Sequence, residues 1–214
     1  MGQNQIQDRM CWGMNRAARA VGNQTDVYRP CGQNNPLAPE NRFLKLPALF
    51  SGARGRFERP NQYGGSLCHG IFDAAYTHPG DYLAQPNAVW FVASQEPLLP
   101  VLCVRTNRVV SLQRPDSPSG VGDGGYGGVT AETRTSLLEN WPASVLGASS
   151  GGRAISDLPS DGDVSQWIVL LPCSAEVTLR PADLMSDDLG RSAIVCSAER
   201  SELGWRLMVK QATT

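Results

Sequence analysis

Apolar residues recur at roughly helical spacing over residues 6–21, where Ile6, Met10, Trp12, Met14, Ala17, Ala18 and Val21 share the axis with Asp8, Arg9, Arg16 and Arg19. Gly22-Asn23 follows as a C-cap signal, so the pattern predicts one N-terminal amphipathic helix. Thr25-Asp26-Val27-Tyr28-Arg29-Pro30 then alternates polar and apolar and predicts the first strand. From Cys31 to Pro79 the chain is dominated by Gly, Pro, Asn and Arg, broken by the apolar run Phe43–Phe50; this reads as a long 31–78 loop insertion with one strand in it. Farther on, short apolar or alternating segments at Thr133–Leu138, Trp141–Leu146, Trp167–Leu171, Glu176–Leu179, Ser192–Ser197 and Trp205–Lys210 predict six strands and no helix, the pattern of a small β-barrel or sandwich.

The chain also repeats itself. Pro79-Gly80-Asp81-Tyr82-Leu83 followed by Phe91-Val92-Ala93-Ser94-Gln95-Glu96 returns as Pro181-Ala182-Asp183-Leu184-Met185 followed by Ile194-Val195-Cys196-Ser197-Ala198-Glu199. The two Asp are 102 residues apart and the two Val 103, so the register slips by one position. Each block ends on an apolar strand, Pro100–Val104 and Gly204–Val209. A duplicated β domain accounts for this. The predicted fold is therefore mainly β, with two tandem small β-barrel or sandwich domains, an N-terminal helix and long loops. Residues 1–112 hold the helix and first domain, the Gly-, Pro- and Ser-rich residues 113–128 form a linker, and residues 129–214 form the second domain.

Composition fits this picture: 41% hydrophobic and 18% charged residues with 22 Gly and 15 Pro describe a globular, turn-rich chain of 214 residues. No run of about 18 apolar residues suggests a membrane span, and the first residues lack a signal-peptide pattern, so a reducing cytoplasm without disulfides is expected. The six Cys include no Cys-x-x-Cys and no zinc spacing; Cys103 and Cys196 read as small strand hydrophobes. Net charge is −1, but residues 1–112 carry 11 Lys and Arg against 7 Asp and Glu, and residues 113–214 carry 8 against 13. Such poles suit head-to-tail stacking. Arg supplies 17 of the 19 basic residues, favouring planar, bidentate contacts.

Candidate chemistry is sparse. His69 and His78 are the two histidines, and Cys68 beside His69, with Asp73 and Asp81 nearby, is the best nucleophile–base set; neighbours in extended chain point apart, which weakens it. Gly120-Val121-Gly122-Asp123-Gly124-Gly125 matches a dinucleotide fingerprint in letters only, because it has neither a strand before it nor a helix after it. Asp157, Asp161, Asp163, Asp187 and Asp188 lack calcium-loop spacing, and Asn23-Gln24-Thr25 is a glycosylation acceptor without meaning unless the chain is secreted. No catalytic residue, cofactor or metal is expected. The Arg54–Gly64 segment is the one basic, aromatic patch, and Arg54, Arg56, Phe57, Arg59 and Tyr63 are the expected partner-binding residues.

With that architecture, the sequence resembles the head–tail joining proteins of tailed bacteriophages, the head-closure or stopper type of the neck. The likeness rests on Asn140-Trp141-Pro142-Ala143-Ser144-Val145, a long loop, Trp167–Pro172, the Arg180-Pro181-Ala182-Asp183 turn, Ala193-Ile194-Val195 and Gly204-Trp205-Arg206-Leu207, and in the first half on His78–Leu83 through Trp90–Ala93. The resemblance implies a non-enzymatic virion protein, assembled in the host cytoplasm as a homo-oligomeric ring. Its neighbours would be a portal or adaptor protein on one side and a tail protein on the other, with genomic DNA passing through and no membrane. Family members commonly carry a single barrel, so a second one, the helix and the 31–78 segment leave open a stopper, an adaptor-like ring or a minor tail or baseplate subunit. A small cytoplasmic enzyme built on Cys68 and His69, and a loop at Arg54–Arg59 that binds nucleic acid, are the alternatives.

Overall fold

The computed structural model describes residues 3–52, 65–115, 134–147, 165–174 and 176–212. A helix, α1 (Gln3–Val21), is followed by strands β1 (Asn23–Tyr28), β2 (Arg42–Gly52), β3 (Leu67–Ile71), β4 (Tyr82–Gln85), β5 (Ala88–Ser94) and β6 (Val101–Arg105). The second set is β7 (Arg108–Pro115), β8 (Arg134–Gly147), β9 (Gln166–Leu171), β10 (Leu184–Asp187), β11 (Ser192–Ser201) and β12 (Gly204–Gln211). All described pairings are antiparallel, and each set closes into a barrel. The neighbour order is β1-β2-β3-β6-β5-β4 in one and β7-β8-β9-β12-β11-β10 in the other, the same path run twice.

The duplication extends to detail. The β5–β6 ladder slips between Val92 and Ser94, and the β11–β12 ladder slips between Val195 and Ser197, its equivalent position. Such bulges bend a strand around a barrel corner. Before β4 and β10, Gly80 and Ala182 both adopt positive φ, 98° and 73°. Gly80 suits that conformation at no steric cost and also lets the chain pass close to Ser174, where a Cβ would lie 2.6 Å from the Ser174 side chain. Ala182 lacks the freedom, so Ala182→Gly should raise stability by about 0.5–1 kcal/mol, the relief of left-handed strain less the added entropy of the unfolded chain. Urea unfolding measures it, and a destabilised variant would contradict the assignment.

The first barrel encloses Val27, Leu46, Ala48, Cys68, Leu83, Trp90, Val92, Val101 and Cys103. Strand alternation then turns Tyr82, Phe91, Ala93 and Val104 outwards, and they join the core of the second barrel with Trp141, Ala143, Val145, Val169, Leu207 and Val209. This explains the uninterrupted apolar run in β5, whose two faces are both covered. At the junction the Tyr82 ring meets Phe91 and Trp141 edge-on, with centroids 6.0 and 6.2 Å apart, and its hydroxyl donates to the Pro142 carbonyl at 2.8 Å. The changeover is two residues long. Thr106 N donates to the Val89 carbonyl of the first barrel at 2.9 Å, while the Asn107 side chain bonds both the N and the O of Val145 in the second, at 2.8 and 2.9 Å.

Several expectations need correcting. The division at 112/113 places β7 in the wrong half: β7 is the first strand of the second barrel, paired with β8 and β10, so the boundary falls at Thr106-Asn107. Residues 113–115 are strand, and the remainder of the expected linker lies outside the described residues but joins two paired strands of one barrel. The 31–78 segment is no insertion, because β2 and β3 within it complete the first barrel. The expected strands at 133–138 and Trp141–Leu146 fall on one strand, β8, bulged where Asn140 takes φ 55°, with Thr133 outside the described residues; Glu176–Leu179 is not strand. Helix α1 packs on β2 and β3 through Ala18, with Met10, Cys11 and Met14 half-buried, but Ile6, Trp12 and Val21 of the apolar stripe stay exposed.

Candidate functional site

The repeated Asp is the centre of a repeated clasp. Asp81 is buried beside β4, and its carboxylate accepts from Arg29 Nε and Nη2 at 2.9 and 2.8 Å and from His78 N at 2.9 Å. Asp183, buried beside β10, accepts from Arg114 Nε and Nη2 at 2.8 and 2.9 Å and from Arg180 N at 2.7 Å. In both, the second guanidinium nitrogen also donates to a backbone carbonyl, Tyr76 at 3.2 Å and Thr178 at 2.8 Å. These are bidentate, charge-assisted pairs. Hydrogen bonding to the Asp holds each Arg further above its ordinary range, outweighing burial, which acts the other way. Each clasp ties the end of a barrel's first strand to the turn before its fourth. The sequence marked both Asp but neither Arg; the missed signal is an Arg-Pro dipeptide, Arg29-Pro30 and Arg114-Pro115.

The nucleophile–base set does not converge. Cys68 points into the first barrel, donating to the Cys103 carbonyl at 3.6 Å, and burial pushes its thiol up to about 12, with Arg105 pulling the other way. His69 is the next residue of β3 and faces the other side; His78 is exposed and gives its backbone N–H to Asp81. Asp81 is held in its clasp. Asp73 accepts from Ala75 N at 3.2 Å, capping a single turn, and from Asn15 Nδ2 of α1 at 2.7 Å. A thiol with so high a pKa is almost wholly protonated at neutral pH, so iodoacetamide at pH 8 should label exposed Cys31 and Cys196 while sparing Cys68 and Cys103 until the chain unfolds. Peptide mass mapping reads this out, and early labelling of Cys68 would contradict it. The raised thiol pKa stabilises the fold below the ordinary thiol value near 9.0 and loses that contribution as pH climbs towards about 12.

Among the described residues no three His, Cys, Asp or Glu side chains gather in a way that could hold a metal ion. Asp187 organises the β10–β11 turn, accepting from Leu189 N at 3.0 Å and from Arg191 N and Nε at 2.9 and 2.7 Å; burial raises its pKa, but these bonds outweigh burial and bring it below the usual range. Asp188 lies 3.9 Å from Arg108 Nε. Arg54, Arg56, Phe57, Arg59 and Tyr63 lie outside the described residues, as do Gly120–Gly125 and Asp157, Asp161 and Asp163.

Where the barrels meet, a cleft of about 630 Å³ opens beside the Thr106-Asn107 changeover. Its first-barrel wall is the β4–β5 turn with Ser66 and Arg105, and its second-barrel wall is Arg108, Val109 and the outer face of β8 at Pro142, Ser144 and Leu146. No helix among the described residues is long and apolar enough to cross a membrane. No protein-family model, curated protein or solved structure matches the chain.

Proposed function

We propose that the chain is a structural virion protein of a tailed phage, a ring-forming head–tail connector subunit that joins portal-side and tail-side proteins around the DNA channel. One observation carries the reading. The same small barrel is built twice, each interior is filled by side chains, and the two are docked through a common core, while Cys68, Asp73 and Asp81 are occupied in holding the fold. Among the described residues, what remains for function is surface. A ring closes by rotation and needs two different faces on every subunit, which two barrels of unlike sequence provide. The opposite charge of the two halves favours stacking of unlike faces. The resemblance of Asn140–Val145 and Trp167–Pro172 to the stopper pattern supports the same conclusion.

Native mass spectrometry and negative-stain imaging of the purified full chain test it. The expected result is a closed ring of one defined stoichiometry. A monomer at every concentration measured, together with a hydrolytic turnover abolished by Cys68→Ala, would replace this reading with the enzymatic one.

A further inference from the structure

Among the described residues, the cleft between the barrels holds two polar side chains without a hydrogen-bond partner. Along β8, Trp141, Ala143 and Val145 enter the core, so Pro142, Ser144 and Leu146 face the cleft. Ser144 is 1% exposed, yet its hydroxyl has no hydrogen-bond partner among the described residues. Buried hydroxyls are seldom left so. Arg105, at the opposite wall, is exposed, and among the described residues its guanidinium makes no hydrogen bond or ion pair. Arg108 donates to the Asn107 carbonyl at 2.9 Å and lies 3.9 Å from Asp188, so two Arg face one Asp and the cleft keeps a surplus positive charge. Pro86, Val89, Val109 and Leu146 give it apolar walls.

We propose that this cleft seats an acidic segment from the second half of another copy of the chain, with Arg105 taking a carboxylate bidentately and the Ser144 hydroxyl bonding the inserted segment. Charge selects the occupant: residues 107–214 carry 13 Asp and Glu against 9 Lys and Arg, and Arg105 closes the half with the opposite balance, 10 Lys and Arg against 7 Asp and Glu. The volume lies within the range of ligand-holding clefts. Nucleic acid is the poorer fit, because a phosphate backbone calls for a track of cations, and this cleft offers only Arg105 and an Arg108 that already faces Asp188. A cleft on one copy and an acidic segment on the next make a heterologous contact, which propagates from subunit to subunit. The inference rests on the ring reading and assigns its subunit contact.

The experiment uses the full chain with Asn87, on the rim, replaced by p-benzoyl-phenylalanine, irradiated as a mixture of light and heavy-isotope protein so that intermolecular cross-links are identified by mass. Cross-links between copies should land in residues 113–214, and Arg105→Glu should remove them and weaken self-association at least tenfold, with Arg105→Lys retaining part of it and Ser144→Ala giving a smaller loss. Arg105 is exposed, so the charge reversal leaves the fold intact, and circular dichroism verifies that. Cross-links confined to residues 1–112, their absence, their displacement by duplex DNA, or an Arg105→Glu chain that associates like the unaltered one would each overturn the proposal. Rings that persist in Arg105→Glu would remove the cleft while leaving the ring reading in place; a cleft-dependent dimer without rings would do the reverse.

Discussion

Trp141→Ala should lower the unfolding free energy by about 3–5 kcal/mol, the upper range for a large-to-small change in a core. Trp141 is fully buried, and it stands where the second barrel's core receives the outward side chains of the first. Three interactions disappear together: the packing of the indole, its edge-on contact with Tyr82 at 6.2 Å, and the hydrogen bond from Nε1 to the Gln33 carbonyl at 2.8 Å. Gln33 O also accepts from Glu139 N at 2.9 Å, so that carbonyl keeps one partner, but the segment before β2 loses its side-chain anchor. The surroundings cannot collapse into the space, because two closed ladders of backbone hydrogen bonds frame it. Trp141→Phe should cost about half as much, since it keeps ring packing and gives up the N–H. Urea unfolding with a global fit measures both. A loss below about 1 kcal/mol for the alanine variant would mean that the junction contributes little to folding and that the barrels merely touch.

The repeat was legible because it lies in turn chemistry and strand composition, which are local. Pro79-Gly80-Asp81 and Pro181-Ala182-Asp183 marked the turn, and the strands after them emerged as β5 and β11. The Asp partners were not legible, since Arg29 and Arg114 lie 52 and 69 residues from their carboxylates, and spacing carries no information across a barrel closure. β3 was hidden for a different reason. Leu67-Cys68-His69-Gly70-Ile71 is short, its inward positions are Cys and Gly, and the small Gly70 is required where a Cβ would strike the Phe72 ring at 2.5 Å. The domain boundary was misplaced because composition changes at residue 113 while topology changes at Thr106-Asn107, where two ordinary polar residues make the crossing through backbone and side-chain hydrogen bonds. For the site the lesson is similar. Cys68 and His69 drew attention by residue type, and strand alternation separates them; Arg105 and Ser144 share a cleft although each looks unremarkable in its own stretch of sequence.

The two clasps supply a test of whether the duplicated barrels act as one body. Asp81→Ala and Asp183→Ala each remove a buried carboxylate that accepts three hydrogen bonds from an Arg and a backbone N–H. Bonds to charged groups contribute about 1.5–3 kcal/mol apiece, but both Arg side chains are partly exposed and regain water, so the net cost should be about 2–3 kcal/mol for each variant. The equivalence of the clasps predicts equal costs. The common core predicts more: because Tyr82, Phe91, Ala93 and Val104 of the first barrel complete the hydrophobic cluster of the second, a lesion in either barrel should lower one cooperative transition rather than split it into two. The double variant should then lose about 4–6 kcal/mol, close to additive for distant sites and a large share of the stability of a domain this size. Scanning calorimetry decides between the outcomes. Two resolved transitions, with Asp81→Ala moving one and Asp183→Ala the other, would show independent barrels and a shared cluster too weak to couple them.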